Sequence, residues 1–446
     1  MIDLLNRSAA SYRLRRRRFL SGLGTCAGGA LSLGMSRSGW LPLLAAQGIR
    51  GGDIRDDHPA KAKRVVLLWL NGGPATIDLW DLKTRHDNGG PIREIMTCTP
   101  GVRFSEHLPQ LAGWSEQLAI VRSMSTREGD HSRATHLTRR GYVPQAGIDF
   151  PDLGALVAEQ LFYPDQLLPG FISIAPPSES FSSNGFLAPC SAPMQVGRRA
   201  RSPSDLVVRD LVTDEHAIAR ATEPRRLLEH FNEQFQSNHP DPVAQRYAVA
   251  TERAFAAMSD RAAGVFDLES EPPATRDRYG QNVFGQGCLL ARRLLENDVC
   301  FVEVVLDGWD THSDNFNRVA ELSQRLDRAF AALLQDLSDR GLLESTIVVC
   351  MGEFGRTPKI NANTGRDHYP AAWSAVVAGG GIGRGQVIGK TSEDGMQVES
   401  SPHSIPDLIA TLCNALGIDP SKQNDSNVGR PIRIADPSAE IIRGLA

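Results

Sequence analysis

The sequence predicts an α/β fold: three layers, α/β/α, around a largely parallel central sheet. Three observations predict it. Several short runs are apolar throughout instead of alternating, as strands covered on both faces are. Two of them, residues 300–306 and 346–351, bracket a long amphipathic helical pattern. Carboxylates, imidazoles and arginines collect directly after these runs.

In chain order, residues 64–70 (Arg-Val-Val-Leu-Leu-Trp-Leu) form the first strand, closed by the turn Asn71-Gly72-Gly73-Pro74. Residues 118–121 and 171–175 are the next two strands. From about 203 to 295 the pattern turns helical and charged, with candidate helices over 225–236 and 242–266. Residues 300–306 are a strand. Over 314–340, Phe316, Val319, Leu322, Leu326, Phe330, Leu333 and Leu337 recur at helical spacing, and Gly341 supplies the stop. Residues 346–351 are the following strand. Strand, helix, strand makes a βαβ unit, so its two strands run parallel, adjacent or nearly so, with a right-handed crossover. A short strand over 375–378 ends in a glycine turn, and a helix over 406–416 closes the chain.

Composition bounds the function. The 446 residues carry 48 basic and 52 acidic groups. Seven arginines and one acid fall within residues 1–46, so the remainder is acidic and unsuited to nucleic acid, whose phosphates demand a basic face. Seven cysteines are too few for a disulfide scaffold. Cys288, Cys300, Cys350 and Cys413 lie in apolar runs and read as small buried hydrophobes. No apolar window after residue 50 is long enough to span a bilayer, which predicts no stable transmembrane anchor.

Arg15-Arg16-Arg17-Arg18-Phe19-Leu20 precedes a glycine-rich, weakly apolar stretch and small residues at 45–46. That is the order of an export signal, and the paired arginines point to the twin-arginine route. Residues 1–46 are therefore read as a signal segment. Residues 47–446 are read as one exported domain, bound for the periplasm or cell envelope.

Ligands of open α/β sheets bind beyond the carboxyl ends of the strands. The residues there are Asn71, Thr76, Asp78 and Asp81; Asp130, His131 and Arg133; Asp307, Asp310 and His312; Glu353 and Arg356; and Asp367 and His368. On parallel strands they share one rim. Oxygen and nitrogen donors converging there suit one divalent cation (Zn, Ca, Mg or Mn), with no organic cofactor implied. Such a cation polarises a phosphoryl or sulfuryl oxygen or activates water. Arg356 and Arg133 suit an anionic oxygen. Each has a plainer reading: Asp310 and His312 as a helix cap, and Arg356 as the ion-pair partner of a buried Glu353.

Residues 70–81, Asp130-His131, 308–312, 352–358 and 365–370, with the closing helix, resemble an exported bacterial family, domain of unknown function 1501. That family is placed in the alkaline phosphatase and sulfatase superfamily. The resemblance implies an alkaline-phosphatase-like fold, with Asp310, His312, Glu353 and His368 as metal ligands. It leaves Thr76 as the hydroxyl nearest the superfamily's nucleophile position, with Arg356 and His131 as further catalytic candidates. Asn71, Ala75 and Phe354 depart from the superfamily pattern, since an amide and a phenyl ring cannot supply the charge of a two-metal site. Two expectations follow: a hydrolase of phosphate or sulfate esters, on an anionic small molecule or glycan, or an exported binding protein that kept the fold and lost the chemistry.

Overall fold

A computed structural model describes residues 60–161, 166–177, 182–188, 191–208 and 260–445, together with His230 and Gln234. The leader expected over 1–46 lies outside the described residues. So do the helices expected over 225–236 and 242–266, apart from His230, Gln234 and the final turns from residue 260.

The central sheet has eight strands: β1 (Arg64–Asn71), β2 (Leu118–Met124), β3 (Phe171–Ile174), β4 (Met194–Val196), β5 (Phe301–Asp307), β6 (Thr346–Met351), β7 (Trp373–Gly379) and β8 (Gln386–Ile388). Their spatial order is β8-β2-β7-β6-β1-β5-β3-β4. Every neighbouring pair is parallel except the two that involve β7, which runs against both β2 and β6. Among the described residues, the five longest helices are α1 (His131–Arg140), α2 (Leu153–Leu161), α3 (Val283–Glu296), α4 (Asn315–Asp339) and α5 (Ile405–Ala415).

The apolar runs are strands because both faces are covered. In β1, Val66, Leu68 and Leu70 pack in one core with α3 and α4. Val65, Leu67 and Trp69 pack in a second core with α2, α5 and Leu137 of α1. This is the three-layer arrangement, and helix α4 joins β5 to β6. Both of those strands lie parallel to β1, one on each side of it. Cys288, Cys300, Cys350 and Cys413 are buried within these layers as free thiols. Among the described residues, no helix is long and apolar enough to cross a membrane.

The loops at the carboxyl rim are tied together by a buried polar chain. Arg366 Nε and Nη2 donate to Asp78 at 2.8 and 2.7 Å. Asn315 Nδ2 donates to Asp78 Oδ2 at 2.7 Å, and Thr311 Oγ1 donates to Asn315 Oδ1 at 2.7 Å. All four residues are fully buried. They join the loop after β1, the loop entering α4 and the connection between β6 and β7. Removing one member of a buried pair strands the other charge, at a cost of about 3–5 kcal/mol. Asp78→Ala is therefore expected to lower unfolding stability by about that amount in denaturant titrations. Unchanged stability would show that the pair is not a structural tie.

Candidate metal centre

The parallel strands place the ends of β1, β2, β5 and β6 on one edge, and reversed β7 begins there. Asn71 sits beside Asp307 at the rim. Its Nδ2 donates to Asp307 Oδ1 at 2.8 Å. The turn after β1 is glycine because two loops close over it. A Cβ on Gly72 would lie 2.4 Å from the backbone nitrogen of Asp310, and one on Gly73 would lie 2.6 Å from the Phe354 ring. Both glycines also have positive φ, 110° and 75°.

Four side chains converge over this turn. His131 opens α1, whose N-cap Asp130 accepts the Arg133 amide at 3.1 Å. Asp310 and His312 follow β5. His368 lies in a two-residue strand paired antiparallel with Gly355–Arg356. Asp310 Oδ1 is 3.5 Å from His131 Nε2, 3.1 Å from His312 Nε2 and 3.5 Å from His368 Nε2. The Nε2 atoms of His312 and His368 are 3.0 Å apart. Ligand atoms of His131, Asp310 and His368 all lie within 4.8 Å of one another.

Hydrogen bonds on the far side of each ring decide which nitrogen faces inward. His131 Nδ1 meets Glu353 Oε1 at 2.6 Å. His312 Nδ1 meets Asp367 Oδ1 at 2.8 Å. His368 Nδ1 meets the Gly129 carbonyl at 2.7 Å. Carboxylates and carbonyls accept, so each Nδ1 carries a proton, and a ring in its neutral form turns an Nε2 lone pair toward Asp310. His131 Nε2 is buried with no hydrogen-bond partner. Lone pairs gathered around a carboxylate oxygen repel unless a cation or protons lie between them. Four of the separations among these donors, 3.0–3.5 Å, lie near the edge of a tetrahedron of ligands around a transition ion, about 3.3 Å. These residues fit a metal.

The surroundings tune the donors. The Glu353 hydrogen bond holds His131 above the ordinary imidazole range, so a proton competes with any cation there. Burial holds His368 below that range and keeps it neutral. Burial pushes Asp310 up, but the hydrogen bond and charge of Arg356, with the nearby imidazoles, outweigh it and hold the carboxylate below its usual value. The His312 hydrogen bond likewise holds Asp367 down.

Three residues stand differently from the expectation. Glu353 is buried and lies behind His131 instead of among the inward-facing donors, because the Gly72 amide also holds its carboxylate, at 3.1 and 3.3 Å. Arg356 pairs with Asp310, not with Glu353. Its fully buried guanidinium is spent on the carbonyls of Gly72, Gly73 and Arg366, so it braces the turn and Asp310 and offers little to an outside anion. Thr76 is 4% exposed, in a 3-10 turn where its carbonyl accepts the amides of residues 79–81. Phe354 packs as a wall behind the imidazoles, its ring 5.0 Å from that of His131 and 4.8 Å from that of His368.

Two positioning groups had no place among the expected site residues. Asp367 stands at the rim in the sequence without an assigned role, and it orients His312. Asn361 donates to the His312 carbonyl at 3.0 Å and to Asp367 at 3.2 Å, clamping one loop to the other.

No curated protein matches the chain. Among solved structures, it is similar to the lipoteichoic acid synthase LtaP from Listeria monocytogenes, at 10% identity and a TM-score of 0.37, over 90% of this chain and 80% of that one. It is similar to a sulfatase from Pseudoalteromonas sp., at 10% identity and a TM-score of 0.38, over 85% and 72%. It is also similar to the C-terminal periplasmic domain of EcEptC from Escherichia coli, solved in complex with Zn, at 11% identity and a TM-score of 0.35, over 86% and 89%. A profile of the family described as protein of unknown function (DUF1501) matches residues 62–446, and the chain belongs to that family.

Proposed function

We propose that the protein is an exported hydrolase of phosphate or sulfate esters built on a single divalent metal. The observation that carries this reading is the inward set of Nε2 lone pairs around Asp310, with the orphaned Nε2 of His131 among them. Three imidazoles and one carboxylate favour a borderline ion such as Zn or Mn over Ca or Mg, which prefer oxygen. His131, His312, His368 and Asp310 would hold the ion. When bound, it would polarise an ester oxygen and lower the pKa of a water molecule.

The chain's own residues do the rest. Glu353, Asp367 and the Gly129 carbonyl fix the three rings, as outer partners of metal-bound imidazoles do. Arg356 keeps Asp310 ionised and aimed. Phe354 and the buried end of β1 exclude water from one side. The attacking group in this reading is water, since Thr76 is closed off from solvent. The same burial, with Asn71, Ala75 and Phe354, favours the second reading, an exported binding protein that keeps the fold and has lost the chemistry.

Folded, exported protein is expected to bind about one equivalent of zinc or manganese and to hydrolyse an aryl phosphate or aryl sulfate when loaded. His368→Ala should reduce bound metal at least tenfold by elemental analysis and remove turnover with it. Metal bound without any turnover, or less than about half an equivalent of metal with no turnover, would overturn the hydrolase and shift the case to the binding protein.

Glu353→Gln keeps the shape but weakens the charge behind His131. Metal affinity should fall about 10–100-fold, and in metal-free protein the His131 resonance should titrate at lower pH than in the parent. The sign follows from the raised pKa: the carboxylate stabilises the protonated ring, so weakening it brings the titration down. A His131 titration unmoved by the change would separate the two residues.

Export by the twin-arginine route is part of the same reading. Replacing Arg16, Arg17 and Arg18 by lysine should leave the protein in the cytoplasmic fraction, and unchanged export would refute that route.

A further inference from the structure

Asp310 is the carboxylate that the imidazoles of His131, His312 and His368 face, yet it lies beyond the reach of the sheet. The β3 ladder along β5 ends at Ile174, opposite Val304, and the β1 ladder ends at Asn71, opposite Asp307. Residues 308–310 run on past both. Gly308 has a φ of 111°, a conformation that few side chains tolerate, so the backbone changes course where the donor loop begins. Strand pairing does not set the place of Asp310.

A side chain from α4 does. Arg318, in the first turn of that helix, donates from Nη2 to the Gly308 carbonyl and from Nη1 to the Asp310 carbonyl, both at 2.9 Å. From the other side, the Trp309 amide donates to the Asn71 carbonyl at 3.1 Å. The carbonyl and the N–H of one trans peptide point in opposite directions. The Gly308–Trp309 peptide is therefore gripped twice, by the end of β1 and by α4.

The base of this grip is itself fixed. Asn315, on the same turn of α4, is fully buried and bonded to Asp78 at 2.7 Å. The amides of Asp314 and Asn315 donate to the carbonyls of Asn363 and Thr364, at 3.1 and 3.0 Å. Arg318 is half-buried, and both of its side-chain hydrogen bonds go to backbone oxygens. Carbonyls on either side of Trp309 need donors spread across one rigid plane. A guanidinium has that fork, whereas an ammonium is a single point.

We propose that Arg318 is a positioning residue of the metal centre. By fixing the carbonyls on either side of Trp309 it sets where the Asp310 carboxylate stands among the imidazoles, and it touches neither ion nor substrate. The inference rests on the metal reading above. Arg356 holds Asp310 by its carboxylate and Arg318 holds it by its backbone. A donor loose at its backbone end has to be reorganised before it can meet an ion, which weakens capture.

The test compares two arginines of α4 in the full chain. Arg318→Lys keeps the charge and loses the fork, and Arg318→Gln serves if the lysine variant fails to fold. Arg328 also donates to backbone carbonyls, those of Asp277 and Arg278, but stands about 15 Å further along the helix. Arg328→Lys is thus the control for a purely structural loss. In zinc titrations against a competing chelator, Arg318→Lys should bind about tenfold or more weakly than the parent, and Arg328→Lys should bind as the parent does. The second readout needs no metal. In metal-free protein the Nε2 resonances of His131, His312 and His368 report the carboxylate beside them; Arg318→Lys should shift them and Arg328→Lys should not. Zinc affinity unchanged in Arg318→Lys, or lowered equally in both variants, overturns the proposal. If the parent takes up no zinc, the metal reading falls and the resonances alone judge the hold of Arg318 on Asp310: a shift confined to the Arg318 variant upholds it, and unmoved resonances overturn it.

Discussion

The rim depends on one buried ion pair. Arg366 and Asp78 are fully buried, and their neighbours Asn315 and Thr311 extend the same hydrogen-bonded chain. A buried charge tolerates little misalignment, because any gap exposes it to the full cost of desolvation. The loops after β1, β5 and β6 are thus held to one another more tightly than loop packing alone would hold them. Asp367 and His368 come directly after Arg366, and Asp310 and His312 flank Thr311. The donors inherit their spacing from this tie.

A second layer of constraint acts on the rings themselves. Each imidazole is anchored through Nδ1 to an acceptor from a different segment: the end of β6, the loop before α1 and the connection leading to β7. Rotation of any ring would break a short hydrogen bond and turn a lone pair away from Asp310. Pre-set geometry of this kind lowers the reorganisation needed to capture an ion, which is what separates a metal site from a chance cluster of polar groups.

Much of this could be read from the chain because it rests on local pattern. The apolar run of β1 and the helical spacing between β5 and β6 fix the parallel core, and Asp310, His312 and His368 follow from their places at strand ends. Direction was harder. The buried residues of β7 read the same whichever way the strand runs, so its reversal carried no signal. Glu353 lies two residues past a strand, where the side chain can face the opening or the interior, and only the Gly72 amide decides it. Arg356 reads equally as an anion clamp or as the partner of Glu353, because nothing local reveals the backbone carbonyls that consume it. The partnership of Arg366 with Asp78 spans most of the chain and leaves no trace in spacing.

The reversal of β7 shapes what this architecture can become. Because β6 ends and β7 starts on the same edge, the whole segment 352–372 hangs over the opening as one broad hairpin connection. Glu353, Phe354, Arg356, Asn361, Asp367 and His368 all ride on it. A parallel successor would have forced the chain back across the sheet to the opposite pole before returning. Here, lengthening or trimming a single surface excursion can reshape the mouth of the centre without disturbing any strand beneath it.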